Sequence, residues 1–145
     1  MRKVNRSAIV PYSAREMFVL VDDVEAYPEF LPWCNQAEVH NRTEDSVEAT
    51  LELHKGAVSN KFTTRNSRKE FEAIGLALIG GPFRHLSGGW KFKELGDDGC
   101  KVVLELDFEF ESRLVDMMFG SFFEDICNSL VDAFTKRAEA VFGSR

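Results

Sequence analysis

No stretch of the chain approaches the roughly 20 consecutive apolar residues that a membrane-spanning helix requires. The basic opening Met1-Arg2-Lys3-Val4-Asn5-Arg6 has no apolar run behind it, unlike a secretory leader. Cysteine is scarce: Cys34, Cys100 and Cys127 are odd in number, widely spaced and without a CxxC. That pattern argues against a disulfide framework or a zinc site, and for reduced thiols in a cytoplasmic protein. The three histidines, His40, His54 and His85, form no pair at metal-ligand spacing. No GxGxxG, P-loop or GxSxG is present, and Gly80-Gly81-Pro82 lacks the Lys and Ser/Thr that would follow in a phosphate-binding loop. Positive charge is also in deficit. Lys plus Arg is 18 against 24 Asp plus Glu, a net charge of −6 with a pI near 5.1. Bulk attraction to nucleic acid is disfavoured, and no DNA partner is expected.

What the chain does have is phenylalanine. Phe accounts for 13 residues against two Trp and two Tyr. A ring without a polar handle favours a dry interior over an adhesive surface. Hydrophobic residues make up 44% and charged residues 29% of 145 residues. That composition suits one folded domain able to bury roughly 68–70% of its unfolded surface.

Residues 3–10 read as a strand ended by Pro11. Ser13-Ala14-Arg15-Glu16 is a capping box ahead of the apolar run Met17 to Val21. The helix it starts is short, because Asp22-Asp23, Tyr27-Pro28 and Leu31-Pro32 punctuate the chain, leaving room for one more helical turn at 24–30. From 36 to 111 strand follows strand. Val47, Ala49, Leu51 and Leu53 alternate with polar neighbours, and Val102, Leu104, Leu106, Phe108 and Phe110 alternate with Val103, Glu105, Asp107 and Glu109. Gly56, Gly80-Gly81-Pro82 and Gly96 to Gly99 supply turns suited to an antiparallel meander with one wet face. Residues 114–142 read as one amphipathic helix of about 43 Å. Phe119, Phe123, Ile126, Leu130, Phe134 and Val141 fall on its apolar face; Glu124, Asn128, Asp132 and Glu139 fall opposite. Gly120 marks a bend or the true start. The expected fold is α+β: a curved antiparallel sheet of about seven strands around a long C-terminal helix, with two short helices after the first strand.

A sheet wrapped on one helix leaves a gap that bulky side chains fill or a ligand occupies. Two motifs bear on this: Tyr27-Pro28-Glu29-Phe30-Leu31-Pro32-Trp33-Cys34, and Gly81-Pro82-Phe83-Arg84-His85-Leu86 leading to Trp90-Lys91-Phe92. They resemble the signatures of the coenzyme-Q-binding branch of the START-like polyketide cyclase/dehydrase superfamily, and the resemblance runs from Val4 to Phe142. It implies a helix-grip fold, a single lipid-binding domain over 1–145 and a hydrophobic tunnel. It further implies binding of ubiquinone or another polyprenyl lipid in support of respiration. For bacterial members it implies association with the large ribosomal subunit and a block on subunit joining, as a toxin. Taken with the aromatic stripe, the expected ligand-binding residues are Tyr27, Phe30, Leu31, Trp33, Phe62, Phe83, Trp90, Phe92, Phe108, Phe119, Phe123, Ile126, Leu130 and Arg137. Ubiquinone would be a bound ligand and not a cofactor. The Tyr27–Cys34 segment reads either as a rigid connection or as a lid whose Phe30 and Trp33 touch ligand or the membrane surface, giving a peripheral membrane contact.

No inward acid or base stands out. All three histidines are out of phase with the apolar faces beside them, so a binding protein is expected and not an enzyme. Arg137 lies at the same helical angle as Phe119, and reads as either a snorkelling cation or a tunnel-facing hydrogen-bond donor. Lys61, Arg65, Lys91 and Lys93 are out of phase with Phe62, Trp90 and Phe92, and form a candidate outward stripe for RNA phosphates.

Overall fold

The computed structural model describes residues 1–145, apart from the side chain of Asp98. The alternation read from the sequence becomes strands β1 (Arg2–Val10), β2 (Cys34–Arg42), β3 (Ser46–Lys55), β4 (Val58–Lys69), β5 (Ala73–Gly80), β6 (Phe83–Glu94) and β7 (Cys100–Phe110). Between β1 and β2 come helix α1 (Ala14–Asp22) and a 3-10 turn (Val24–Glu29). The capping box at α1 closes in both directions: the Glu16 amide donates to Ser13 Oγ at 3.0 Å, and the Ser13 amide to Glu16 Oε1 at 2.9 Å. All neighbours are antiparallel, in the order β1-β7-β6-β5-β4-β3-β2. After β1 the chain crosses to the far edge and then winds back strand by strand, so that β7 closes against β1.

On β7 the buried set is Cys100, Val102, Leu104, Leu106, Phe108 and Phe110, every second residue. The inner faces of β3, β5 and β6 supply Leu53, Ile74, Leu86, Trp90 and Phe92 to the same core, while Val47 and Ala49 of β3 pack in a smaller cluster with Val24. At the middle of β6, a Cβ on Gly88 would lie 2.1 Å from the Glu105 carbonyl, and one on Gly89 2.2 Å from the Ile74 carbonyl. Both glycines have φ above +130°, and only a residue without a side chain fits between strands approaching so closely.

The C-terminal helix departs from the single span expected over 114–142. A short helical turn (Arg113–Val115) leads into a wider π turn (Asp116–Gly120), and the regular helix α2 runs Ser121–Phe142. Arg2 explains the break: its guanidinium donates to both Asp116 carboxylate oxygens at 3.0 and 2.9 Å and to Glu124 at 3.2 Å. A Cβ on Gly120 would stand 2.7 Å from Arg2 Nη2, so glycine leaves the room this clamp needs. The helix face read as solvated is therefore half-covered by β1 in its first turns, where Arg6 also donates to Asn128 at 2.9 Å. Val141, expected on the apolar stripe, is 49% exposed. Phe134 is buried as expected, and around it the buried stripe takes in Val131 and Ala138 in place of Val141, because the end of α2 turns toward α1 and Phe142 meets Tyr12.

Candidate ligand-binding site

Between α2 and the inner face of the sheet lies an apolar cavity of about 90 Å³. Its walls come from α1, the 3-10 turn, strands β3 to β7, the segment before β2, and α2. Val21 and Val24 close the α1 side, Ala49, Leu51 and Leu53 belong to β3, and Phe62, Thr64 and Asn66 to β4. Ile74, Leu76, Leu86, Trp90 and Leu106 continue across β5, β6 and β7, while Phe123, Ile126, Cys127, Leu130 and Phe134 face them from α2. Tyr27 of the 3-10 turn and Trp33, from the segment between that turn and β2, complete the enclosure. No Asp, Glu, Lys, Arg or His is among these side chains.

Of the residues expected at a ligand site, Tyr27, Trp33, Phe62, Trp90, Phe123, Ile126 and Leu130 line this cavity. The others do not. Phe83, Phe108 and Phe110 pack edge-on or stacked with Phe62 and Phe123, at centroid separations of 4.7–6.4 Å, and so fill one end of the gap with rings. Phe119 is absorbed against Phe110 and Phe122 beyond that plug. Phe92 lies behind Trp90 and against Phe18 of α1. The gap is thus mostly filled. What remains is smaller than the roughly 150 Å³ that holds a benzene ring, so a ring with a chain enters only when wall residues move.

Phe30, Leu31 and Arg137 lie outside, in an open groove of about 430 Å³ between the connecting segment and α2, whose other residues include Pro32, Ser129 and Lys136. Arg137 does not reach the cavity. Its guanidinium sits 4.8 Å from the Phe30 ring centre and 3.4 Å from Glu29, stem along the helix, because Phe30 and Phe134 occupy the space ahead of it. Trp33 borders both spaces and is the wall between cavity and groove. Its segment is tied to β3 through one residue: the His54 amide donates to the Trp33 carbonyl at 3.0 Å, and His54 Nε2 lies 2.9 Å from the Pro32 carbonyl.

Electrostatically the cavity is neutral. Tyr27 donates its hydroxyl to the Val21 carbonyl, and burial pushes its ionisation far above the ordinary phenol value. Burial likewise holds Cys127 as a thiol. The nearest charge on the inner face of β4, Arg68, is neutralised by a two-pronged bond to Asp22 at 2.8 and 2.9 Å, with Arg42 adding 3.1 Å to the same carboxylate. Sequence reading missed Thr64 and Asn66. The alternation that turns Phe62 inward carries Thr64 and Asn66 to the same face.

The outward basic residues do not form one stripe. Lys61 faces Glu52 at 3.6 Å and Arg65 faces Glu48 at 3.3 Å across β3–β4, which cancels their charge locally. Lys91 and Lys93 lie on β6 at the other end of the face, where Lys93 stands opposite Lys101 of β7. Among the described residues no group of His, Cys, Asp or Glu could hold a metal ion, and no helix is long and apolar enough to cross a membrane.

Residues 10–135 match the family model described as polyketide cyclase / dehydrase and lipid transport. The chain belongs to that family. A ribosome association toxin RatA from Pseudomonas aeruginosa is 44% identical over 140 residues, 97% of each protein. A mitochondrial coenzyme Q-binding protein, COQ10 homolog B from Xenopus laevis, is 27% identical over 96% of this chain and 59% of its own length. Among solved structures, a START superfamily protein from Mycobacterium smegmatis superposes with a TM-score of 0.80 at 22% identity, covering 96% of this chain and 98% of that one. The Zhui aromatase/cyclase from a Streptomyces species gives a TM-score of 0.84 at 19% identity over 95% and 93%. These likenesses establish the helix-grip fold, and the family holds cyclases as well as binding proteins.

Proposed function

We propose that the chain, as one lipid-binding domain over residues 1–145, binds a neutral, largely apolar lipid between α2 and the sheet. Ubiquinone or a similar polyprenyl lipid fits best, held as carrier or chaperone in support of respiration. The observation that carries this reading is a cavity whose lining is mostly aliphatic and aromatic and free of charge. The coenzyme Q-binding relative supports the ligand class. A binding role is favoured over a cyclase role because acid–base chemistry needs a titratable group at the reacting atoms, and no carboxylate, histidine or lysine of this chain borders the cavity. The place of action would be the cytoplasm, with transient contact at the inner face of the membrane through Phe30 and Trp33.

Organic extraction of the purified protein should release a bound polyprenyl quinone or related lipid. Calorimetric titration of the delipidated protein with a decyl-substituted quinone should saturate at one equivalent. No extractable lipid together with no heat of binding would end the reading.

A second reading has its own support. Relatives such as the one at 44% identity carry the name ribosome association toxin, and Lys91, Lys93 and Lys101 gather on the outer face of β6 and β7. Under it, the outer face meets the large ribosomal subunit while the cavity serves separately.

A further inference from the structure

The inner face of β4 is out of character with its neighbours. Opposite it, β3 presents Val47, Ala49 and Leu51, and β5 presents Leu76 and Leu78; β4 itself places Thr64 and Asn66 there, registered against Ala49 and Leu78, and Val47 and Leu76. These two are the polar residues buried in the core, at 7% and 8% exposure, and both line the cavity. Burying an amide in an apolar wall is unfavourable unless its hydrogen-bonding groups are used. Half of the Asn66 amide is used: Thr64 Oγ1 donates to Asn66 Oδ1 at 2.7 Å. With the carbonyl oxygen engaged, the amide is held in one orientation, and Nδ2 makes no hydrogen bond to the protein among the described residues.

The other polar groups of the cavity sharpen the pattern. The Tyr27 hydroxyl is spent on Val21, and the Cys127 thiol stays protonated. The indole N–H of Trp90, itself 4% exposed, also bonds to no described residue. The unengaged polar groups are chiefly N–H donors, and no charge accompanies them. Such a wall selects a ligand that accepts hydrogen bonds and carries no charge. A carboxylate would need a cation that the cavity lacks, and a pure hydrocarbon would leave the amide unpaired.

We propose that the Thr64–Asn66 pair is the polar anchor of the cavity, with Asn66 Nδ2 donating to a carbonyl oxygen of an otherwise apolar, uncharged ligand. This rests on the lipid-binding reading above and adds to it the atom that fixes the ligand's head and the class of head it takes, a ketone or quinone oxygen.

The test compares two probes on three proteins: a decyl-substituted quinone and decylbenzene, titrated calorimetrically into the wild type, Asn66→Leu and Thr64→Val. Asn66→Leu keeps the volume and removes the donor. It should weaken the quinone by about three- to tenfold while decylbenzene binds as well or better. Its melting temperature should hold or rise, since an apolar side chain replaces a polar one in an apolar wall. Thr64→Val keeps the amide but releases its orientation, and should weaken the quinone in the same direction by a smaller factor. Equal quinone affinity in the wild type and both variants would remove the anchor and leave the lipid-binding reading standing. A parallel loss of both probes would overturn it as a packing effect. Failure of the wild type to bind either probe would overturn the lipid-binding reading itself, and the anchor with it.

Discussion

The three thiols are free and buried, and burial sets their chemistry. It pushes both Cys34 and Cys100 up to about 11, and Cys127, on the cavity wall, further still. A thiol reagent that attacks the thiolate at pH 8 then finds roughly one molecule in a thousand ionised at Cys34 or Cys100. The folded protein should react hundreds of times more slowly than the unfolded one, which should titrate at all three positions. The folded values lie above the ordinary 9.0, so the stabilisation is complete below pH 9 and is lost as pH rises toward 11. Melting temperature against pH, with Cys34→Ala and Cys100→Ala as controls, checks this; a flat profile from pH 8 to 11 would contradict it. At this scale the sequence was legible in part. Phe62, Trp90, Phe123, Ile126 and Leu130 reach the cavity because facing is set by alternation and helical angle. Phe108, Phe119 and Arg137 share those faces and miss it, since depth along an element depends on which neighbouring ring fills the space first.

At the scale of elements, α1 shows how much a short helix owes to its ends. Glu16 closes the capping box and receives Arg145 at 2.7 and 2.9 Å. These bonds, Arg145 foremost, hold its carboxyl at about 2. Here the folded value is depressed below 4.5, so the stabilisation is present above that pH and is lost as pH falls toward 2. Glu16→Gln keeps the capping-box acceptor and removes the charge paired with Arg145, so it should cost only about 0.5 kcal/mol at neutral pH, the scale of an exposed ion pair, and should flatten the acid limb of the unfolding profile. Urea midpoints at pH 7 and 3 measure both effects; an acid limb as steep in the variant as in the wild type would assign it elsewhere. The strands, the capping box and the turns at Gly56, Gly81 and Gly96–Gly99 were readable because each is a local signal. The π turn at 116–120 was not. It is imposed by Arg2, more than a hundred residues earlier in the chain, and period alone continues the helix through it.

For the molecule as a whole, the cavity and the outer face of the sheet are separated by the sheet itself, so the two proposed roles should dissociate. Ala49→Leu adds carbons to the cavity wall, where Ala49 is buried opposite Thr64. It should lower quinone affinity by roughly tenfold or more and leave co-sedimentation with the large ribosomal subunit unchanged. Reversing Lys91 and Lys93 to Glu should do the opposite, weakening sedimentation most at low salt. Loss of both properties in either variant would show one shared surface. The chain's two tryptophans both border the cavity, Trp90 deep in the sheet and Trp33 between cavity and groove. All indole emission therefore originates at the binding space, with no tryptophan elsewhere to dilute it. The deep ring emits from a dry setting and the outer one from a wetter setting, so the colour and intensity of the protein's own light form a built-in gauge of whether the space is filled and from which end.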